Sequence, residues 1–149
     1  MALATKTAPQ ATLGAPIYVT DHKPLTVVGI RAANTLALNA GESIDMCKVP
    51  KGARIIDAGI ICSKAGTTTD ADLGLYDMYD QSTYHADADG LIDGANLNTG
   101  ILNRAGGDVT TEIQLGLLLT YDCYVRLTIN TADLGDDVAV YVFVTYFMP

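Results

Sequence analysis

Between residues 70 and 93 the chain carries seven Asp and no Lys or Arg. Carboxylates at this density can hold a hard cation or work as a hydrolytic pair, so chemistry is sought here first. The densest part is YHADADGLIDG, residues 84–94. Set as an EF-hand loop, with Asp87 at position one and Asp89 at three, it places Leu91 at five and Ile92 at six. Those positions require an oxygen ligand and a Gly, so the motif fails, and only weak calcium binding in another geometry stays open. As a glycosidase pair, Asp87 and Asp89 lack flat aromatic platforms: the chain has no Trp, and Tyr76, Tyr79 and Tyr84 substitute only in part.

Nothing else in the chain supplies a reaction centre. His22 and His85 stand in loop-like sequence, and there is no G-x-S-x-G elbow, P-loop or G-x-G-x-x-G. Cys47, Cys62 and Cys123 form no C-x-x-C pair, and their odd number leaves at least one free. Each falls in an expected strand or at its start, where Cys behaves as a small buried hydrophobe. No catalytic, cofactor-binding or metal-binding residue is assigned, and the chain is read as not an enzyme.

The composition narrows the partners. At 149 residues, 49% of them hydrophobic and 17% charged, the chain is one globular domain's worth. A net charge of −8 argues against nucleic acid, whose phosphates need clustered Lys and Arg. The charge is uneven: residues 1–64 hold seven basic groups and four acidic, residues 65–149 two basic and thirteen acidic. Either the acidic loops keep a surface soluble, or opposite faces orient the protein on a partner. No apolar run reaches the ~18 residues of a membrane span, and no signal peptide is recognised. A reducing cytoplasm is the expected place of synthesis.

The elements that must position any site read as short strands. Candidates are 16–21, 25–32, 42–49, 54–65, 72–80, 111–121, 123–130 and the terminal run from 137. VPKGA (49–53) is a turn, with Pro50 presetting its own φ and Gly52 tolerating a positive one. In 54–65, alternation puts Ile56, Ala58, Ile60 and Cys62 on one face and Ile55, Asp57, Gly59, Ile61 and Ser63 on the other. Leu73 and Leu75 point inward, as do Ile113, Leu115, Leu117 and Leu119, and Val125, Leu127 and Ile129. Residues 80–107 read as loop, with a short strand at 100–103. No segment sustains a helical stripe, so the expectation is an all-β sandwich or barrel.

The last strand, 138–148, is apolar on both faces. Val138, Val140, Val142, Val144 and Tyr146 share one; Ala139, Tyr141, Phe143, Thr145 and Phe147 share the other. An ordinary sandwich strand has one polar face. Either a loop of the same chain covers the second face or another subunit does. Tyr141, Phe143 and Phe147 are the candidate subunit-interface residues. Residues 1–16 carry neither period and read as an extended arm ahead of a domain at 17–149. The arm is either a frayed terminus or a strap that orders on a partner, through Leu3, Lys6, Pro9, Leu13 and Pro16.

The succession VPKGARIIDAGIICSKAGTTTDADLGLYD, the Asp-rich ADADGLIDGANLNTGILN and the closing apolar strand resembles the small capsid decoration, or cement, proteins of tailed bacteriophages over roughly residues 42–149. The resemblance lies in strand, loop and turn types, so no functional residue is carried over. It implies a single-domain antiparallel β-sandwich, jelly-roll-like, without catalysis. It also implies a homotrimer on the outside of the phage head that clamps neighbouring major capsid subunits. Two rivals are a receptor- or carbohydrate-binding β-sandwich head domain of a phage, with its site in the Asp-rich loops, and a calcium-assisted hydrolase.

Overall fold

The structure, a computed structural model, describes residues 23–31, 37–63, 69–79, 87–97, 102–106 and 114–149. The arm 1–16, strand 16–21, both His, residues 80–86 of the loop, residues 100–101 of the short strand and Ile113 lie outside the described residues. The strands are β1 (Leu25–Arg31), β2 (Ser43–Val49), β3 (Arg54–Cys62), β4 (Asp70–Asp77), β5 (Ile92–Asn96), β6 (Asn103–Arg104), β7 (Cys123–Ile129) and β8 (Val140–Phe147).

They build two four-stranded antiparallel sheets, in the orders β1-β8-β3-β6 and β2-β7-β4-β5. The pairs nest from the ends inward: β1 with β8, β2 with β7, β3 with β6 and β4 with β5. This is the connectivity of one long antiparallel hairpin folded over into two layers. The all-β sandwich expected from the sequence is the observed architecture.

Alternation drives the layering. In β7, Cys123, Val125, Leu127 and Ile129 are buried and the residues between them half-buried. In β8, Val140, Val142, Val144 and Tyr146 are buried. These rows meet Leu73 and Leu75 of β4 and Ile55, Ala58 and Ile60 of β3 in one core. The turn before β3 forms as read: Gly52 has φ +85° and the Ala53 amide donates to the Pro50 carbonyl at 3.2 Å. At the start of β8 the buried Arg31 guanidinium donates to the carbonyls of Val138 (2.5 Å) and Gly135 (3.3 Å). Burial pulls its pKa below the usual guanidinium value, while Asp136 acts against that shift.

Three readings of the sequence are corrected. In β3 strict alternation breaks, because the register with β8 shifts between Ile55 and Asp57. The extra residue of this bulge turns Ile55 inward and leaves Ile56 exposed, the reverse of the expected faces. Residues 92–96, read as loop, form β5 beside β4. Residues 114–121, read as strand, form turns with a single bridge from Leu118 to Arg54. Gly116 there has φ +82°, which interrupts an extended run.

That irregular segment has a structural task. Residues 87–91 run along β4, with the Asp87 amide on the Leu75 carbonyl (3.2 Å) and the Leu91 amide on the Leu73 carbonyl (2.9 Å). The buried Gln114 side chain fills the space beside them: its Oε1 accepts from the Leu75 amide at 2.7 Å and its Nε2 donates to the Leu75 carbonyl at 3.3 Å. A side chain here does the work of a strand, because the buried Leu75 amide would otherwise be left open, which is costly. Gln114→Ala is therefore expected to lower unfolding free energy by about 2–3 kcal/mol in chemical denaturation. An unchanged midpoint would remove this role.

Cys62 and Cys123 sit in the core and Cys47 is half-buried in β2, none of the three in a disulfide. Burial pushes the thiol pKa up to about 11 at Cys47 and about 12 at Cys123, where Asp77 and Asp122 add to the rise. Thiolates are scarce at pH 8, so alkylation of the native protein should be slow. After denaturation without reductant, three thiols should titrate. Fewer would mean that a Cys is already oxidised.

Candidate interaction surface

Directly paired residues in antiparallel strands point to the same side. On the outer side of the first sheet, Ile30 of β1, Tyr141 of β8 and Ile61 of β3 therefore form one row across three strands. The next row is Val28, Phe143, Gly59 and Arg104. Val28 is 56% exposed, Ile30 61%, Tyr141 40% and Ile61 38%, with Leu102 beside them at 41%. Exposure is greatest on β1, the edge strand, and falls toward the centre. Beyond these rows the face turns polar: Thr26 and Thr145 hydroxyls meet at 2.9 Å, and Arg104 pairs with Asp57.

Phe143 is half-buried by contacts within the chain. A Cβ at Gly59 would enter its ring, so the ring lies across the space that Gly59 leaves, and the Arg104 guanidinium sits 5.9 Å from its centroid. The three interface candidates thus differ. Tyr141 is exposed within the apolar row, Phe143 is partly covered by its own chain, and Phe147 pairs with Arg54 at the sheet's end. The face of Val140, Val142, Val144 and Tyr146 is the intrachain core. The arm candidates Leu3, Lys6, Pro9, Leu13 and Pro16 lie outside the described residues.

The contributions of Val28, Ile30 and Ile61 were not foreseen. The signal was available in LTVVGI, which is apolar at both parities in the same way as the last strand. The exposed Ile56 depends on the bulge, which alternation alone does not reveal.

The outer side of the second sheet is chemically opposite. Its rows are Ser43, Thr128 and Asp72; Asp45, Arg126 and Gly74; and Lys48, Tyr124 and Tyr76. Arg126 grips Asp45 with two bonds, Nε to Oδ1 at 2.7 Å and a terminal nitrogen to Oδ2 at 3.1 Å, and stacks 4.2 Å above the Tyr76 ring. Lys48 lies 5.4 Å from the Tyr124 centroid. Burial raises the Asp72 carboxyl, while the Gly94 amide, 2.9 Å from Oδ1, opposes that rise. The Asp87 hydrogen bond raises the Asp89 carboxyl, and burial adds to it. Among the described residues, no three His, Cys, Asp or Glu side chains converge as a metal site needs. A shallow pocket lined by Lys48, Val49, Pro50, Met78 and Asp122 holds no nucleophile–base pair.

No protein-family model matches the chain, and no curated protein sequence matches it. Solved structures do. A chain of the cyanophage Pam1 capsid asymmetric unit superposes with a TM-score of 0.61 at 21% identity, covering 99% of this chain and 100% of that one. A chain of the Ralstonia phage GP4 capsid gives 0.67 at 13% identity over 90% of each. A chain of the acid-stable capsid of Helicobacter pylori bacteriophage KHP30 gives 0.55 at 15% identity over 86% of this chain and 90% of that one. At these identities the likeness is one of fold: this sandwich is a fold found in three phage capsids.

The acidic side yields a pH prediction. Asp89 binds its proton more tightly when folded than when unfolded, so acidification through its raised pKa adds stability, and ionisation above it removes stability. Asp89→Asn removes one of two facing carboxylates and keeps a donor toward Asp87. Its melting temperature should exceed that of the wild type by about 1–3 °C at pH 7. The difference should shrink as pH falls below about 4, the ordinary carboxylate range. Equal melting at both pH values would show that the two carboxyls do not interact.

Proposed function

We propose that this chain is a structural, non-enzymatic virion protein: a decoration or cement protein on the outside of a phage head that stabilises contacts between major capsid subunits. The observation that carries the reading is the match to a chain of a phage capsid over nearly the full length of both chains. Three features of the chain agree with it. No catalytic motif is recognised in the sequence, the folded domain offers an apolar outer face, and the nested strand order suits a rigid jelly-roll-like brick.

The physical task is to add contact area across seams between subunits. A standard interface buries about 1,600 Å², and repetition over a shell multiplies modest contacts through avidity. A homotrimer suits a three-fold seam. In this reading the domain 17–149 is the brick and the arm 1–16 is the strap. The arm's apolar Leu3 and Leu13, its single charged side chain Lys6, and Pro9 and Pro16 favour an extended contact made through backbone bonds and apolar side chains. Ordering such an arm costs about 1–2 kcal/mol per residue, so its contact must be extensive.

Co-sedimentation with purified heads that lack the protein tests the proposal. The full chain should bind them saturably and raise the temperature at which they rupture. Deleting residues 2–15 should leave the protein's own melting nearly unchanged and weaken attachment. Heads that neither bind the protein nor gain thermal resistance would defeat the cement role. Undiminished attachment by the truncated chain would defeat the strap.

A further inference from the structure

We infer that the outer face of the first sheet, centred on Val28, Ile30, Ile61 and Tyr141, is where one copy of this chain meets another. The inference deepens the virion reading, and the homotrimer in it, by assigning the self-contact to these four residues. The contact is carried chiefly by edge strand β1 rather than by the last strand alone.

Size supports a protein occupant. Together with Leu102, the exposed parts of these residues amount to on the order of 400 Å² of mostly apolar surface, the size of the largest, often functional, patch of a typical monomer. That suits the apolar centre of an interface burying about 800 Å² per partner, with a polar rim around it. The rim is present. Thr26 with Thr145, and Asp57 with Arg104, border the apolar rows and are already bonded within the chain, so they make no demand on the partner.

The edge strand adds a second argument. Solvent-facing edge strands are usually guarded by charges or Pro. From Leu25 to Ile30 β1 has neither, and the Arg31 guanidinium is turned inward onto the Val138 and Gly135 carbonyls. Among the described residues no strand pairs with the free edge of β1, whose guards are confined to Lys23 and Pro24 at its start, and this edge adjoins the apolar face.

Charge favours this cover. The chain carries −8, and on the other sheet Asp45 is paired with Arg126 and Lys48 offsets Asp72, while Asp87, Asp89 and Asp93 alongside leave that side acidic. Two copies meeting through that side would bring like charges together, which costs free energy and rate. Two copies meeting through the Ile30 and Val28 rows bring together largely apolar surface, in which the charges among the described residues are Arg104, at the end of the Val28 row, and its partner Asp57. Among the described residues, this is the face where two like-charged copies would meet with less repulsion and more apolar burial than through the other sheet.

The test is the mass of the full-length protein by light scattering, at about 10 μM, a concentration that populates any micromolar assembly. The wild type should be a single oligomer. Ile30→Asp puts a charge at the most exposed position of the patch and should weaken association by at least about 100-fold, yielding monomer. Val28→Thr, which keeps the side chain's shape, with Ile30→Thr, which removes one methyl group, is milder for folding and should shift the mass in the same direction. Thr128→Asp, on the opposite side, should leave it unchanged. Circular dichroism and melting temperature establish that each variant is folded. A monomeric wild type, or folded Ile30 variants that keep the wild-type mass, would overturn the assignment. So would variants that keep their mass but lose attachment to heads, because the face would then belong to the capsid. If the variants become monomers and the wild type fails to bind heads, the self-contact stands and the virion role falls.

Discussion

Everything in this sandwich follows from the placement of one strand with no polar face. β8 lies between β1 and β3 and pairs with both along nearly its whole length. Its Val140, Val142, Val144 and Tyr146 row enters the core, where burial of each large side chain is worth about 1.5–3 kcal/mol. Side chains alternate, so committing that row to the core commits Tyr141, Phe143 and Phe147 to the outside. The apolar outer face is thus the unavoidable counterpart of a well-filled interior.

The chain handles this counterpart unevenly. Phe143 is absorbed by a device within the sheet, lying across the gap at Gly59 under the Arg104 guanidinium. Tyr141 receives no such cover, and Ile30 and Ile61 extend its row on either side. On the other sheet the outward residues are polar and bound to one another, as in the Asp45–Arg126–Tyr76 stack. One side is thus polar and internally bonded and the other apolar and exposed, the division that the proposed self-contact uses.

Much of this was legible in the sequence where alternation is strict. CYVRLTIN declares its inward and outward residues one by one, and the turn at Pro50–Gly52 forms as its chemistry dictates. Legibility failed where local geometry departs from period two. The bulge at Ile55–Asp57 exchanges the faces of two isoleucines, a change worth one residue of register that no pattern marks. TEIQLGLLLTY looks like a strand, yet Gly116 turns the chain and Gln114 leaves the surface to satisfy the Leu75 backbone. IDGAN looks like loop because Asp, Gly and Asn are poor strand formers, and pairing with β4 overrides that preference. The interaction surface was half legible for the same reason. The last strand shows its second apolar row, but only the register brings β1 and β3 beside it.

A cryo-EM reconstruction of heads incubated with the protein tests the central claim most directly. The account predicts sandwich-shaped density on the outer surface of the shell. Copies should meet through the Ile30–Tyr141–Ile61 rows, and the Arg126–Asp45 side should be open to solvent. Heads without added density, or attached copies whose Ile30–Tyr141–Ile61 rows stand bare in solvent, would contradict it.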